Sequence, residues 1–262
     1  MTNPVTPNPW QALRALTAAR IALGRAGVGM PTSAQLNFQL AHARARDAVH
    51  APLDAAALGA LLENSGHPPL YAHSACPDRA TYLQRPDLGR RLDQPSRAAL
   101  ASTTPNACEL ALVVADGLSA LAVAKNAAPF IEALLRRLAP DGWGTPPIVI
   151  VQQARVAIGD EIGAILNARC VVMLIGERPG LSSPDSMGLY MTWNPRAGLS
   201  DADRNCISNV RPAGLGYDDA AYKLHYLLAE ARKRGLSGVA LKDETDRQGA
   251  TPGLAGPNFL LR

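Results

Sequence analysis

Lysine is scarce in this chain. Only Lys125, Lys223, Lys233 and Lys242 stand among 26 cationic residues, and the rest are arginine. Arginine favours fixed, bidentate contacts to carboxylate or phosphate, although the same excess follows from a base-composition bias shared with the many alanines. Aromatics make up 5% of the chain and no basic run interleaves with them, so the net charge of +4 does not read as a nucleic-acid interface. No apolar run approaches the about 20 residues needed to span a bilayer. Met1–Pro7 is polar and broken by proline, with no apolar region of a secretion signal. Cysteine is limited to Cys76, Cys108, Cys170 and Cys206, far apart and without CxxC spacing. That excludes a zinc motif and, in so large a chain, a disulfide framework. A cytoplasmic protein with reduced thiols is expected, with no membrane and no nucleic acid among its partners.

The self-contained catalytic motifs are missing too. Gly24-Arg25-Ala26-Gly27-Val28-Gly29 holds glycines in the order GxxGxG after a helical stretch. The dinucleotide fingerprint needs GxGxxG between a strand and a helix, where backbone amides hold a pyrophosphate. There is no P-loop. Gly117-Leu118-Ser119 lacks the second glycine of a nucleophile elbow, so Ser119 reads as a helix cap. No HExxH or other clustered metal ligands occur, and no metal site is expected. The histidines His42, His50, His67, His73 and His225 are scattered, and only the last falls in the second half of the chain.

What is present is a 262-residue chain, 47% hydrophobic, whose pattern changes midway. Residues 1–9, with three prolines and two asparagines, read as a disordered leader. Residues 10–105 read as a helical region. One helix starts at Trp10 and stops at the glycines 24–29; a second is capped by Thr32 or Ser33; a third covers about Ala55–Glu63; residues 70–95 look irregular; a short helix follows near Gln94–Ala101. From 106 to 243 strands alternate with helices. Strands are expected at Glu109–Ala115, Ile148–Val151, Val171–Ile175, Gly188–Trp193 and Cys206–Ser208. Asp116-Gly117-Leu118-Ser119 turns into a helix running to about Leu138, and further helices are expected at Gly159–Leu166 and at Asp218–Arg234. The last carries Ala221, Leu224, Leu227, Leu228 and Ala231 on one face. This is the pattern of an α/β, Rossmann-like, doubly wound and mainly parallel sheet. Residues 244–262 read as an irregular tail.

The stretch from Val171 to Ile207 organises the second half. A five-residue apolar run suits a strand buried on both faces. The polar loop Gly176-Glu177-Arg178-Pro179-Gly180 follows at once. Loops at the C-terminal ends of parallel strands are where such sheets bind ligands. Glu177 can accept amide hydrogen bonds, and Asn205, Ser208 and Asn209 can both donate and accept. Two plainer readings stand beside this: Glu177 and Arg178 fix the loop as an ion pair, and Cys206 is a small core residue.

Several segments resemble a known family: Arg20-Ile21-Ala22-Leu23-Gly24-Arg25-Ala26-Gly27, Tyr82-Leu83-Gln84-Arg85-Pro86-Asp87-Leu88-Gly89-Arg90-Arg91-Leu92 and Val114-Ala115-Asp116-Gly117-Leu118-Ser119. Stronger still are Arg155-Val156-Ala157-Ile158-Gly159-Asp160-Glu161-Ile162-Gly163, Ile175-Gly176-Glu177-Arg178-Pro179-Gly180-Leu181 and Asp203-Arg204-Asn205-Cys206-Ile207-Ser208-Asn209. In this order, over roughly residues 10–240, the chain resembles the small subunit of ethanolamine ammonia-lyase.

The resemblance implies an adenosylcobalamin-dependent carbon–nitrogen lyase that makes acetaldehyde and ammonia. A large barrel subunit holds ethanolamine, and cobalamin lies between the subunits of a hetero-oligomer. It implies cobalamin contacts at Val156, Glu177 and Cys206, and no catalytic residue from this chain. The DxHxxG motif, whose histidine replaces the cofactor's own base on cobalt, is absent, which agrees with base-on binding. Some members carry a longer N-terminal extension that directs packaging into a bacterial microcompartment. Here about nine polar residues precede the first expected helix, so packaging would rest on the large subunit. Two rivals stay open: a stand-alone Rossmann-type enzyme using a nucleotide, and a purely structural partner that never touches the cofactor.

Overall fold

The computed structural model describes residues 4–103 and 107–245. A six-stranded sheet runs through it in the order β3-β5-β4-β6-β7-β8. The strands are β3 (Leu70–His73), β4 (Cys108–Ala115), β5 (Ile148–Gln152), β6 (Ala168–Gly176), β7 (Met187–Trp193) and β8 (Arg204–Val210). The first four in that order are parallel. β7 runs antiparallel to β6, and β8 antiparallel to β7. The sheet is therefore mainly parallel, with an antiparallel hairpin side at β7–β8. A short β7–β8 connection needs no crossover helix, and this is why the hairpin turns back.

Helices cover both faces. β4, β5 and β6 are apolar on both sides because each side meets a helix layer. Leu112, Val114, Ile150, Val172 and Leu174 pack against α5 (Ala120–Leu138), α7 (Tyr217–Arg234) and α2 (Ala55–Asn64). Val113, Ala115, Val151, Val171 and Met173 pack against α6 (Ile158–Ile165) and α4 (Gln94–Ser102). α7 buries the five residues expected of it and Ala220 as well. Ser119 caps α5, its side chain accepting from the Ala122 amide at 3.2 Å.

The N-terminal part departs from the reading of its pattern. The helix expected from Trp10 shrinks to one 3-10 turn, Gln11–Ala15, that buries nothing. Leu13, Leu16, Ile21 and Leu23 keep no steady three-to-four spacing, and Ala22 takes a left-handed φ of 51°, which ends any helix there. The two-residue strand β1 (Val5–Thr6) pairs antiparallel with β2 (Arg25–Ala26), so part of the leader is ordered. α1 (Thr32–His50) forms as expected, but its N-cap is Pro31, with no side-chain cap from Thr32 or Ser33. The stretch 70–95 is not irregular. It contains β3, which lies at the sheet edge beside β5, and α3 (Arg79–Gln84). β3 is only four residues long, too short for its period to show against the surrounding loops. Of the expected tail, residues 246–262 lie outside the described residues, as do 104–106 of the connection before β4.

Candidate functional site

The C-terminal edge of β4, β5 and β6 is built around Asp116. This carboxylate ends an apolar strand and is only 2% exposed. It accepts the amides of Gln153 at 2.9 Å and Ala154 at 3.1 Å, and Arg79 Nη1 stands 3.5 Å away. The loop that leaves β5 is thereby tied to the end of β4. Tyr82, fully buried, fastens the same loop by donating to the Ala154 carbonyl at 3.0 Å. Two guanidinium groups lie against its ring, Arg79 at 4.6 Å and Arg155 at 4.2 Å from the centroid. Burial pushes the Tyr82 phenol well above its ordinary range, so it stays a neutral donor. Arg155 returns a hydrogen bond to the Tyr82 carbonyl at 3.1 Å.

The loop after β6 is held as firmly. Gly117 has φ +53°, and a Cβ on it would fall 2.3 Å from the Gly176 carbonyl, so the ends of β4 and β6 touch backbone to backbone. Ser119 donates to the Pro184 carbonyl at 2.7 Å, and Asn126 donates to the Asp185 carbonyl at 2.8 Å. Glu177 bridges the two ends of its own loop. Its Oε2 accepts from the Ser186 hydroxyl at 2.5 Å and from the Asn209 amide of β8 at 3.3 Å. Among the described residues its partners are these two and not Arg178, which is exposed. The loop is thus fastened by Glu177, through Ser186 and Asn209 and not through Arg178.

These ends enclose an open cavity of about 400 Å³. Gly117 and Leu118 line it from β4, Val156 from β5, Glu177 and Arg178 from β6, and Tyr190 from β7. Val156 and Glu177 therefore share one cavity. Cys206 does not line it, but it stands opposite Tyr190 in the β7–β8 ladder. Burial raises the Tyr190 phenol, and the neighbouring Cys206 and Glu177 raise it further. Tyr190 thus joins the three residues that the resemblance implied. Cys206 is no core residue: its thiol is exposed, 3.7 Å from the Ser208 hydroxyl. It sits in the middle of β8, because that strand is longer at both ends than its apolar pattern suggested.

A larger hollow of about 790 Å³ shares Arg155 and Val156. Its floor is the buried pair Arg204–Asp160, two-pronged at 2.6 and 2.9 Å with side chains 2% and 5% exposed. That pair joins the first turn of α6 to the start of β8. Glu161 of the same turn accepts from the Leu92 amide at 2.9 Å and from Arg97 Nε at 2.7 Å. Asp116, Tyr82 and Asp160 were missed as site-building residues. The signal for the first was available, as an acid directly ending a strand buried on both faces has to find partners.

A family model described as "Ethanolamine ammonia-lyase light chain (EutC)" matches residues 7–242. The chain belongs to this family. It is 62% identical over 245 residues to the ethanolamine ammonia-lyase small subunit of Ralstonia nicotianae, covering 92% of this chain and 91% of the relative. It is 59% identical over 246 residues to the small subunit of Pseudomonas putida strain W619, with 93% and 90% covered. With that of Azotobacter vinelandii it shares 58% identity over 267 residues, with 99% and 97% covered. The matched stretch of the ethanolamine ammonia-lyase family takes in the sheet and both loops around the cavity. Among the described residues no helix is long and apolar enough to cross a membrane.

Proposed function

We propose that this chain is the cofactor-holding small subunit of an adenosylcobalamin-dependent ethanolamine ammonia-lyase, the complex that converts ethanolamine to acetaldehyde and ammonia. The observation that carries this reading is the open cavity on the strand edge, bordered by Val156, Glu177 and, through Tyr190, Cys206, in a chain of this family. The cavity is open, and about 400 Å³ is small for a corrin. It therefore suits one edge of a cofactor whose other side is covered by a large barrel subunit.

The donor set fits a corrin rim bearing amides. Glu177 accepts hydrogen bonds, Val156 offers an apolar contact, and the β8 edge exposes Cys206, Ser208 and Asn209. When bound, adenosylcobalamin supplies the radical chemistry. This chain's residues bind it, orient it and exclude water from one side. On this reading the chain supplies no catalytic acid or base; Glu177 is engaged by Ser186 and Asn209. The chain carries no DxHxxG motif, and on this reading cobalamin binds base-on. Helices on both faces of the sheet support a Rossmann-like domain over 106–243, after an N-terminal region that lends it β3. The same reading places the complex in the cytoplasm.

The test is reconstitution. The purified chain should release no ammonia from ethanolamine. Adding the large subunit and adenosylcobalamin should restore release. Turnover by the chain alone would sink the reading in favour of a stand-alone enzyme. Full activity of a large subunit that binds cobalamin equally well without this chain would leave it a structural partner. Paramagnetic resonance of the cob(II)alamin state should show a splitting that nitrogen-15 histidine labelling leaves unchanged; a changed splitting would mean a protein histidine on cobalt.

A further inference from the structure

The formal charge of this protein is not spread over it. Residues 1–50 hold five arginines, no lysine and one acid, so the whole net charge of +4 sits there, while the remaining residues carry 21 cations against 21 anions. The same segment carries apolar side chains with no core to enter. Trp10 is 66% exposed, Leu16 66%, Val28 110%, Met30 48%, Leu36 58% and Leu40 48%. Single exposed apolar residues need no explanation, but a concentration of them in one segment marks an interaction surface. In α1 the buried stripe is Ala41 and Ala48. Leu36 and Leu40, four residues apart, lie together on a neighbouring, exposed face of the helix. A 19-residue helix that buries two alanines against its own chain is only half used.

This arm is joined to the cofactor edge. Arg20 Nη2 donates to the Leu181 carbonyl at 3.1 Å and Nη1 to the Ser182 hydroxyl at 3.4 Å, on the loop that begins with Glu177. Arg20 also lies over the Phe38 ring, 5.9 Å from its centroid, which links that loop to α1. At the other end of α1, Arg79 Nε donates to the Val49 carbonyl at 2.7 Å, and its Nη1 faces Asp116. Any protein that covers the cavity from the loop 177–186 side meets the arm next.

We infer that residues 10–40 are a docking element for the large subunit, and that they seat in an apolar groove rimmed with acidic residues on it. The inference rests on the proposed function for the identity of the partner. The complementary partner must be acidic because the arm is basic. Continuity through Arg20 makes it the same body that closes the cofactor cavity. An apolar centre with a charged rim is the ordinary composition of a stable protein interface.

The experiment measures the affinity of the full chain for purified ethanolamine ammonia-lyase large subunit, with cobalamin present and absent, for three proteins: wild type, Leu36→Glu/Leu40→Glu, and Leu36→Met/Leu40→Met. Thermal unfolding of each chain alone runs beside it. The glutamate pair should bind the large subunit about tenfold more weakly or worse, with an unchanged melting temperature, since both positions are exposed. The methionine pair should bind like wild type, and added salt should weaken wild-type binding. Equal affinity of wild type and the glutamate pair would overturn the docking assignment and leave the functional reading standing. No binding by wild type would overturn both. Self-association of wild type that the glutamate pair abolishes, with large-subunit binding intact, would give the arm to a second copy of this chain. RNA binding lost in the glutamate pair, again with large-subunit binding intact, would give it to nucleic acid.

Discussion

Two regions of this chain use the same residue types to opposite ends. At the strand edge, Leu110 to Ala115 are all buried, and Asp116 ties the loop after β5 to the end of β4. In residues 4–50 only Pro31, Ala41 and Ala48 are buried, and leucines lie open. The first region stores its hydrophobic and polar interactions within the fold. The second keeps them for contact outside it. The difference teaches where a substitution will be felt: in the first region it should alter unfolding, and in the second it should alter association.

The largest effect is expected at Asp160. Asp160→Ala leaves Arg204 buried without its two-pronged partner and should cost about 3–5 kcal/mol in chemical denaturation. A loss below about 1 kcal/mol would show that water reaches the pair. Next comes Glu177→Ala, which sits on the boundary between folding and binding. It should weaken cobalamin binding by the assembled complex about ten- to a hundredfold, the equivalent of about 1.5–3 kcal/mol. It should also lower the melting temperature, because Ser186 and the Asn209 amide lose their acceptor. Glu177→Gln should restore most of both, as its amide oxygen still accepts. A lowered melting temperature with unaltered affinity would make Glu177 a loop fastener only.

Tyr82→Phe should cost about 1 kcal/mol, through the Ala154 carbonyl left without its donor, and should leave affinity for the large subunit unchanged. A loss of assembly in this variant would mean that the strand edge and the arm are not separable. The smallest effect is expected from removing Met1–Pro9. This deletes β1 and its two-residue ladder but no buried side chain among the described residues, so stability should change by about 0.5 kcal/mol or less. A soluble truncation that no longer binds the large subunit would extend the docking element to the leader.

Those two regions also differed in how far they could be read from sequence. The strands β4, β5 and β6 were legible because burial on both faces leaves an unbroken apolar run, and α7 because its apolar residues keep one face. Only their ends moved by a few residues. The antiparallel turn of β7 and β8 was not legible, since strand direction depends on what connects the strands and not on their composition. The helix expected after Trp10 failed for a related reason. Apolar content alone suggested it, but among the described residues this segment buries none of that content, and most helical stability comes from packing. At the site, Val156 and Glu177 could be placed together because each follows a strand of the parallel set. Tyr82 could not, because its segment comes from the edge beside β3 and reaches the cavity only through tertiary folding.

The pair Arg204–Asp160 has one more consequence. It clamps α6, which follows Val156, to β8, which bears Cys206, while Asp116 clamps the Val156 loop to β4 and Glu177 clamps its own loop to β8. The spacing of the three proposed cofactor contacts is then set before any ligand arrives. A rigid half-site has no closing motion with which to retain what it holds. On the proposed reading, how long a cofactor stays is a property of the joint between two proteins: its residence time in the complex should follow the lifetime of subunit contact, so that diluting the complex hastens cofactor loss even where no residue touching the corrin has changed.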